Sequence, residues 1–162
     1  IALSELDVNA WARTHAVIFS DWRTDEARRA DAALRPLFST PRELNRTQTR
    51  VFSLGGEPVG ARFSTPHGFA WMGLAAGAKR WYVAPPRRKM PPDPACEPRA
   101  QPDASLAGVS HCLQHAGEVI VVPESWWHAT CQVAPYTIGL GGQVITQRLN
   151  PCITIRTRAS RR

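Results

Sequence analysis

Short apolar runs recur along the chain from Gln48 to Gly142, and Gly and Pro residues separate them. Runs of this length that are rich in β-branched and aromatic residues, with turn residues at both ends, predict β-strands. Eight short strands with turn signals between them favour an all-β sandwich or barrel. The predicted strands are Arg50–Leu54, Ala61–Ser64, Phe69–Ala75, Arg80–Ala84, His111–Gln114, Glu118–Val122, Trp127–Val133 and Tyr136–Leu140.

The region before these strands, residues 1–47, is polar and is predicted to form a helical cap. Its clearest helix is Asp25–Leu34, because Thr24 is a good N-cap, acidic residues occupy the first turn, and Pro36 stops the pattern. The apolar residues Val17–Phe19 give this region a surface to bury, and we expect them to pack against a sheet.

Two further segments interrupt or follow the strand pattern. Residues 85–102 contain seven prolines, which cannot donate to a strand ladder, so this segment is predicted to be an extended surface loop. Residues 146–162 form a basic tail, with a short helix expected before Pro151. The predicted β-rich core therefore spans residues 48–145.

Size and composition describe one domain with its own core. The chain has 162 residues and 43% hydrophobic residues, which excludes wholesale disorder. No apolar run approaches the roughly 18–20 residues of a membrane span, and the longest, Val119–Pro123, has the length of a strand. The chain begins at Ile1 without an initiator Met, and either a removed targeting segment or trimming would leave such a start.

The chain is strongly basic. Twenty Lys and Arg residues against 13 Asp and Glu give a net charge of +7, and all the basic residues except Lys79 and Lys89 are Arg. Arg pairs well with phosphate and carboxylate, so an RNA or an acidic protein is one interpretation of this charge. Most of the Arg residues are scattered, however, which is more typical of a solvated surface. Clusters occur only at 87–89 and 156–162.

Two long stretches carry specific motifs. The first, Phe63–Pro86, contains G-x-K-R-W-x-x-x-P-P, and the second, Cys112–Thr130, contains G-E-x-x-x-V-P-x-x-W-W-H. A third short strand, Tyr136–Leu140, contains Thr-Ile. In this order and spacing the chain resembles the JmjC family of cupin-type iron(II)/2-oxoglutarate oxygenases. It is most similar to the small JmjC-only proteins, which include a branch in the lumen of the secretory pathway.

The resemblance implies a mainly β fold, a double-stranded β-helix of jelly-roll or cupin type, with a metal at its mouth. Such a centre needs two neutral imidazoles and one carboxylate on one face. His128 matches the family's last ligand, at the end of W-W-H. The earlier H-x-D or H-x-E pair is missing: in one register Thr65 and His67 stand there, in another Ser64 and Pro66. His67 and His128 are therefore the candidate metal residues, and they would hold a metal only loosely.

The expected cosubstrate contacts are also incomplete. Lys79 lies where some relatives place the cation that pairs with the distal carboxylate of 2-oxoglutarate, and Thr137 is the other candidate contact, through its hydroxyl. Met72 stands where a close relative has an amide, and Gly141 and Gly142 replace an expected hydroxyl and amide. A strand-edge charge is the alternative interpretation of Lys79.

The four cysteines stand at positions 96, 112, 131 and 152, with no C-x-x-C pair that would suggest a zinc ribbon. Two disulfides in an oxidising compartment and four reduced thiols are both ordinary outcomes. The β-helix implied by the resemblance puts Cys112 and Cys131 on strands of one small barrel. A bond between them is therefore one expectation, although reduced thiols are favoured over it.

The sequence thus predicts a JmjC-like protein with an incomplete iron motif, most simply a non-catalytic binding or assembly subunit with no cofactor. Protein subunits are the expected partners, and RNA is a further candidate through the arm 85–102 and the tail. The alternative is a divergent protein hydroxylase that uses Fe(II) and 2-oxoglutarate. An organelle or the secretory lumen is favoured over the cytosol.

Overall fold

Two antiparallel sheets make up the computed structural model, which describes residues 17–19, 25–34, 36, 41–44, 49–64, 68–86, 89–97, 106–144 and 155–156. The strands are β1 (Val17–Phe19), β2 (Thr49–Gly55), β3 (Gly60–Ala61), β4 (Phe69–Ala76), β5 (Ala78–Ala84), β6 (Ser110–His115), β7 (Glu118–Val122), β8 (Trp127–Gln132), β9 (Thr137–Val144) and β10 (Ile155–Arg156). One helix, α1 (Asp25–Leu34), and a 3₁₀ turn at Arg42–Leu44 precede β2.

The larger sheet, sheet A, has the strand order β1-β2-β9-β4-β7-β10, and the smaller, sheet B, has the order β3-β8-β5-β6. Neighbouring strands in both sheets are antiparallel. The mainly β, two-sheet fold predicted from the apolar runs is therefore confirmed. Among the described residues, no helix is long and apolar enough to cross a membrane.

The space between the sheets is filled by alternate residues of the central strands. Side chains on a strand point to opposite faces in turn, so each of these strands contributes every second residue to the interior. From sheet A come Met72, Leu74, Ile120 and Val122, and from sheet B come Trp81 and Val83. The sheets therefore face each other across one hydrophobic layer, as in other sandwich folds.

The outer faces are covered as well. Leu44 packs with Phe69, Trp71, Val119, Val121 and Leu140 on the outside of sheet A. On the outside of sheet B, Tyr82, Ala129 and Cys131 pack with Phe63 and Leu106, and Cys96 lies against them. Because both faces of the central strands are buried, β7 consists of five buried residues instead of alternating with polar ones.

The N-terminal region differs from its prediction in one element. Helix α1 has the bounds that Thr24 and Pro36 predict. Val17–Phe19, assigned to the helical cap, is instead a strand, with Val17 opposite Leu54. The helical assignment is wrong there because pairing with β2, distant in sequence, outweighs local preference. The expected helix before Pro151 lies outside the described residues.

The proline-rich segment lies outside both sheets, since none of its described residues joins a strand. It is held to sheet B at two points. Asp93 Oδ1 accepts a hydrogen bond of 2.9 Å from the backbone N–H of Phe63, and Cys96 forms a disulfide with Cys131 on β8. The described part of the segment is therefore attached to the outer face of sheet B.

The disulfide corrects the expectation for the cysteines. The bond is Cys96–Cys131, with Cα atoms 5.2 Å apart, whereas Cys112 keeps its thiol and packs on the inner side of β6. Cys112 and Cys131 cannot pair because their side chains lie on opposite faces of sheet B. Cys152 lies outside the described residues.

We expect Cys96→Ser to lower the free energy of unfolding by about 2–4 kcal/mol, since the bond closes a long loop in the unfolded chain. Denaturant titration with and without a reducing agent measures this. The wild type and a Cys112→Ala control should both lose stability on reduction, whereas Cys96→Ser should not change. A wild-type curve that is insensitive to the reducing agent would contradict the bond.

Candidate ligand-binding cavity

A cavity of about 290 Å³ opens between the two sheets. Sheet A contributes a mostly apolar wall, and sheet B contributes the groups that carry chemistry. The lining residues are Val51, Ala61, Arg62, Ser64, Ala70, Trp71, Met72, Lys79, Trp81, Val122, His128, Ala129, Thr130, Gly142 and Gln143. No carboxylate is among these described lining residues, although the guanidinium of the exposed Arg62 lies 3.7 Å from the carboxylate of Asp93, which is outside the cavity lining.

The most unusual lining group is the amine of Lys79. Position 79 shares the inward face of β5 with Trp81 and Val83, so the side chain enters the space between the sheets and is only 1% exposed. Its Nζ donates a hydrogen bond of 2.7 Å to Ser53 Oγ, and lies 5.8 Å from the centre of the Trp81 ring. The neighbours of Nζ are thus a neutral hydroxyl and an aromatic ring, whereas a buried lysine usually pairs with a carboxylate.

Burial controls the protonation of this amine. Removing the ammonium ion from water lowers the pKa of Lys79 from its usual 10.5 to about 7. No anion near Nζ among the described side chains offsets this effect. Near neutral pH the amine is therefore divided between its charged form and its neutral, nucleophilic form.

The ring of Trp81 is held in place by a buried amide. Trp81 Nε1 donates to Gln114 Oε1 at 2.7 Å, and Gln114 Nε2 donates to the carbonyls of Met72 at 2.8 Å and Glu118 at 2.9 Å. Because the amide oxygen and both N–H groups of Gln114 are used, its orientation is determined. The wall of the cavity beside Lys79 is therefore rigid.

His128 lies on the same wall as Trp81, near the start of β8. Its Nδ1 donates a hydrogen bond of 3.2 Å to the carbonyl oxygen of Trp126, since a carbonyl only accepts. The His128 and Trp81 rings are 6.4 Å apart between centres. The side chain is half-buried and lines the cavity, as the resemblance implies for the last ligand.

The donors that the described residues place around the cavity do not make up an iron(II) centre. Such a centre needs two imidazoles and a carboxylate, whereas the described lining residues supply one imidazole, His128, and one amine, Lys79. Within the part of the chain that the structure describes, no three His, Cys, Asp or Glu residues come together. His67 and Thr65 lie outside the described residues, and neither can supply a carboxylate.

Thr137 lies elsewhere. It is fully buried, and its hydroxyl donates a hydrogen bond of 3.1 Å to the carbonyl of Ala78, so it is not among the lining residues. Position 141 has no room for a polar side chain, because a Cβ on Gly141 would lie 2.3 Å from the carbonyl oxygen of Trp71. The Met72 side chain lies against Gly139 and Gly141 and makes this wall apolar.

Three polar residues of the interior were not singled out by the sequence analysis. Ser53 and Gln114 hold Lys79 and Trp81, and Gln132, opposite Lys79 in the strand register, is 2% exposed with a buried Oε1 that accepts no hydrogen bond from the described residues. The signal that could have found them is a polar residue at an inward position of an apolar strand.

Comparison with known proteins supports the resemblance seen in the motifs. No family model matches the chain. It is 32% identical to human JmjC domain-containing protein 8 over 92 residues (49% of this chain, 32% of that protein). It is 33% identical to the mouse protein of the same name over 107 residues (61% and 39%). The chain thus spans less than half the length of either relative, and the matches confirm its resemblance to JmjC-type proteins.

Remote likenesses to solved structures also occur. They include hydroxypropylphosphonic acid epoxidase from S. wedmorenis, with a TM-score of 0.40, 13% identity, and coverage of 59% of this chain and 42% of that one. Another is the oxalate decarboxylase of Lactobacillus farciminis, with a TM-score of 0.41, 12% identity, and coverage of 59% and 23%. The fold assignment rests on the sheet topology itself.

The burial of Lys79 predicts a pH dependence of stability. Between about pH 7 and pH 10.5 the unfolded chain holds a proton on Lys79 that the folded chain has lost, so stability rises with pH. Below pH 7 both states are protonated and the full cost of burial remains. The contribution is at most about 1.4 kcal/mol per pH unit.

Lys79→Met should remove this contribution and stabilise the protein most below pH 7. Denaturant unfolding at several pH values measures the unfolding free energy of the variant and of the wild type. In the difference between them, the contributions of the other titratable groups cancel. Lys89→Met is the matched control, because Lys89 is exposed and is the only other lysine. Equal pH slopes in the wild type and Lys79→Met would contradict the effect.

Proposed function

We propose that this JmjC-type domain is a non-catalytic binding domain, whose cavity holds a small organic carboxylate at Lys79 in place of an iron centre. The observation that carries the proposal is the cavity's donor set. It combines one imidazole with a buried amine, and the described lining has no acid. The described lining residues do not supply the ligands of Fe(II), whereas Lys79 can pair with a carboxylate.

The energetics of Lys79 favour an anionic ligand. A buried ammonium ion without a counterion is costly, and a carboxylate that enters the cavity would offset that cost through a charge-assisted hydrogen bond. The protonated form is the one that pairs, so affinity should increase as the pH falls towards 7 and below. Ser53 Oγ, 2.7 Å from Nζ, positions the amine, and Met72 and Trp81 would contact the apolar part of the ligand.

The second candidate is the divergent oxygenase. It is favoured by one observation: His128, which matches the family's last metal ligand in the resemblance, lines the same cavity as Lys79. When bound, iron and 2-oxoglutarate would supply oxidative chemistry. This candidate needs His67 and a further ligand from outside the described residues.

Binding without turnover is the result we expect with 2-oxoglutarate. Isothermal titration should show binding that weakens as the pH rises above 7 and is lost in Lys79→Met, while Lys89→Met binds normally. With Fe(II), ascorbate and oxygen, no succinate should form. Succinate release that His128→Ala abolishes would establish the oxygenase instead, and the absence of binding at any pH would refute the carboxylate site.

The assembly role rests on the proline-rich segment. Lys89 and Met90 are exposed, Met90 by 46%, on a loop that Asp93 and the Cys96–Cys131 disulfide hold in place. A loop that is already ordered loses less entropy when it docks. Protein subunits, or RNA through neighbouring Arg87 and Arg88, are the partners we propose for it. Arg87, Arg88 and the basic tail beyond Arg156 lie outside the described residues.

Charge reversal of residues 87–89 should therefore release the chain from its native complex without lowering its melting temperature. Size-exclusion chromatography of tagged chain from its source cells measures this, and ribonuclease treatment of the extract distinguishes RNA from protein partners. Arg29→Glu, an exposed change on α1, is the control and should leave the elution volume unchanged. Elution of the wild type as a 17.9 kDa monomer would contradict the assembly role.

A further inference from the structure

The amine of Lys79 has a chemistry that carboxylate binding does not use. Lys79 is only 1% exposed and is one of the residues that line a cavity of about 290 Å³, so a small molecule in that cavity lies close to its side chain. Its hydrogen-bond partner is the neutral Ser53 hydroxyl, and the described lining contains no carboxylate that would keep it charged. These features are those of a nucleophilic lysine, which proteins produce by desolvating the amine.

We propose that Lys79 is a carbonyl-binding residue that condenses reversibly with a small aliphatic aldehyde in the cavity to form an imine. The proposal deepens the proposed function, since it uses the same cavity but the other protonation form of the lysine. The ammonium form pairs with a carboxylate, and the neutral amine attacks a carbonyl carbon. The two ligand classes therefore have opposite pH dependence.

The reaction is balanced without any redox partner. The lone pair of Nζ forms a bond to the carbonyl carbon, and the C=O π electrons move to oxygen. A proton passes from nitrogen to that oxygen and gives a carbinolamine, which then loses the oxygen as water when the C=N bond forms. Amine and aldehyde thus give imine and water, and hydrolysis reverses the reaction.

The surroundings favour an uncharged, apolar carbonyl compound. Val51, Ala70, Met72 and Val122 form the opposite wall of the cavity, and they suit an alkyl chain. The Trp81 ring, fixed by Gln114, lies beside the amine and shields it from bulk water. Since burial brings the pKa of Lys79 to about 7, about half of the amine is neutral at pH 7. An ordinary lysine is neutral in roughly one molecule in a few thousand.

Reductive trapping tests the proposal, and the chain provides its own control in Lys89, the only other lysine. The intact wild-type protein is incubated with butanal and cyanoborohydride between pH 5.5 and 9, digested, and analysed by mass spectrometry. We expect the butyl group on Lys79 with a half-maximal rate near pH 7. At that pH Lys79 should react at least tenfold faster than the exposed Lys89. The α-amino group of Ile1 is resolved as a separate peptide.

Lys79→Arg should lose the modification on its peptide while Lys89 reacts at its wild-type rate. If that variant does not fold, the ratio of the modification rates of Lys79 and Lys89 in the wild type is sufficient to test the proposal. Lys89 reacting as fast as Lys79 at pH 7 in the folded protein would overturn the proposal. That result would leave 2-oxoglutarate binding unaffected, and loss of 2-oxoglutarate binding would leave the butanal result unaffected, so the two proposals fail separately.

Discussion

One buried amide, that of Gln114, makes two of the hydrogen bonds that join the two sheets, beside those from Lys79 to Ser53 and from Thr137 to Ala78. Gln114, on β6 of sheet B, accepts from the Trp81 indole and donates to the carbonyls of Met72 and Glu118 at the strands of sheet A. A buried amide without partners would cost free energy, and here each polar group of the side chain is satisfied. The interaction therefore sets the position of Trp81, and Trp81 forms the wall against which Lys79 and His128 lie.

The chemistry of the cavity depends on Lys79, which has no anionic neighbour among the described side chains. Its neighbours among the described residues include a hydroxyl, an aromatic ring and apolar side chains, none of which neutralises an ammonium ion. Because the pKa of Lys79 is about 7, the amine can lose its proton near neutral pH, which removes the free-energy cost of a buried charge. A buried ammonium ion without a counterion costs free energy. The site therefore favours either a ligand that supplies the opposite charge or a reaction of the neutral amine. Both proposals for this protein arise from that one property.

The proline-rich segment shows how a surface loop becomes part of the structure. Its prolines keep it out of the sheets, but Phe63, Leu106 and Cys96 pack it onto the outer face of sheet B. The Cys96–Cys131 disulfide attaches the segment covalently to β8. The exposed Lys89 and Met90 are consequently held in a defined position relative to the core.

The sequence by itself determined seven of the strands, β2 and β4 to β9, as well as helix α1 and the resemblance that places His128 and Lys79 near one site, because these depend on local periodicity, caps and motifs. Tertiary structure alone decided the strand at Val17–Phe19 and the Cys96–Cys131 bond. It also decided that Thr137 turns to the Ala78 carbonyl, away from the cavity. Nor does local pattern predict that Ser53, 26 residues away, is the partner of Lys79. Such pairings depend on which strands become neighbours and which faces they share, and those contacts form only when the two sheets close.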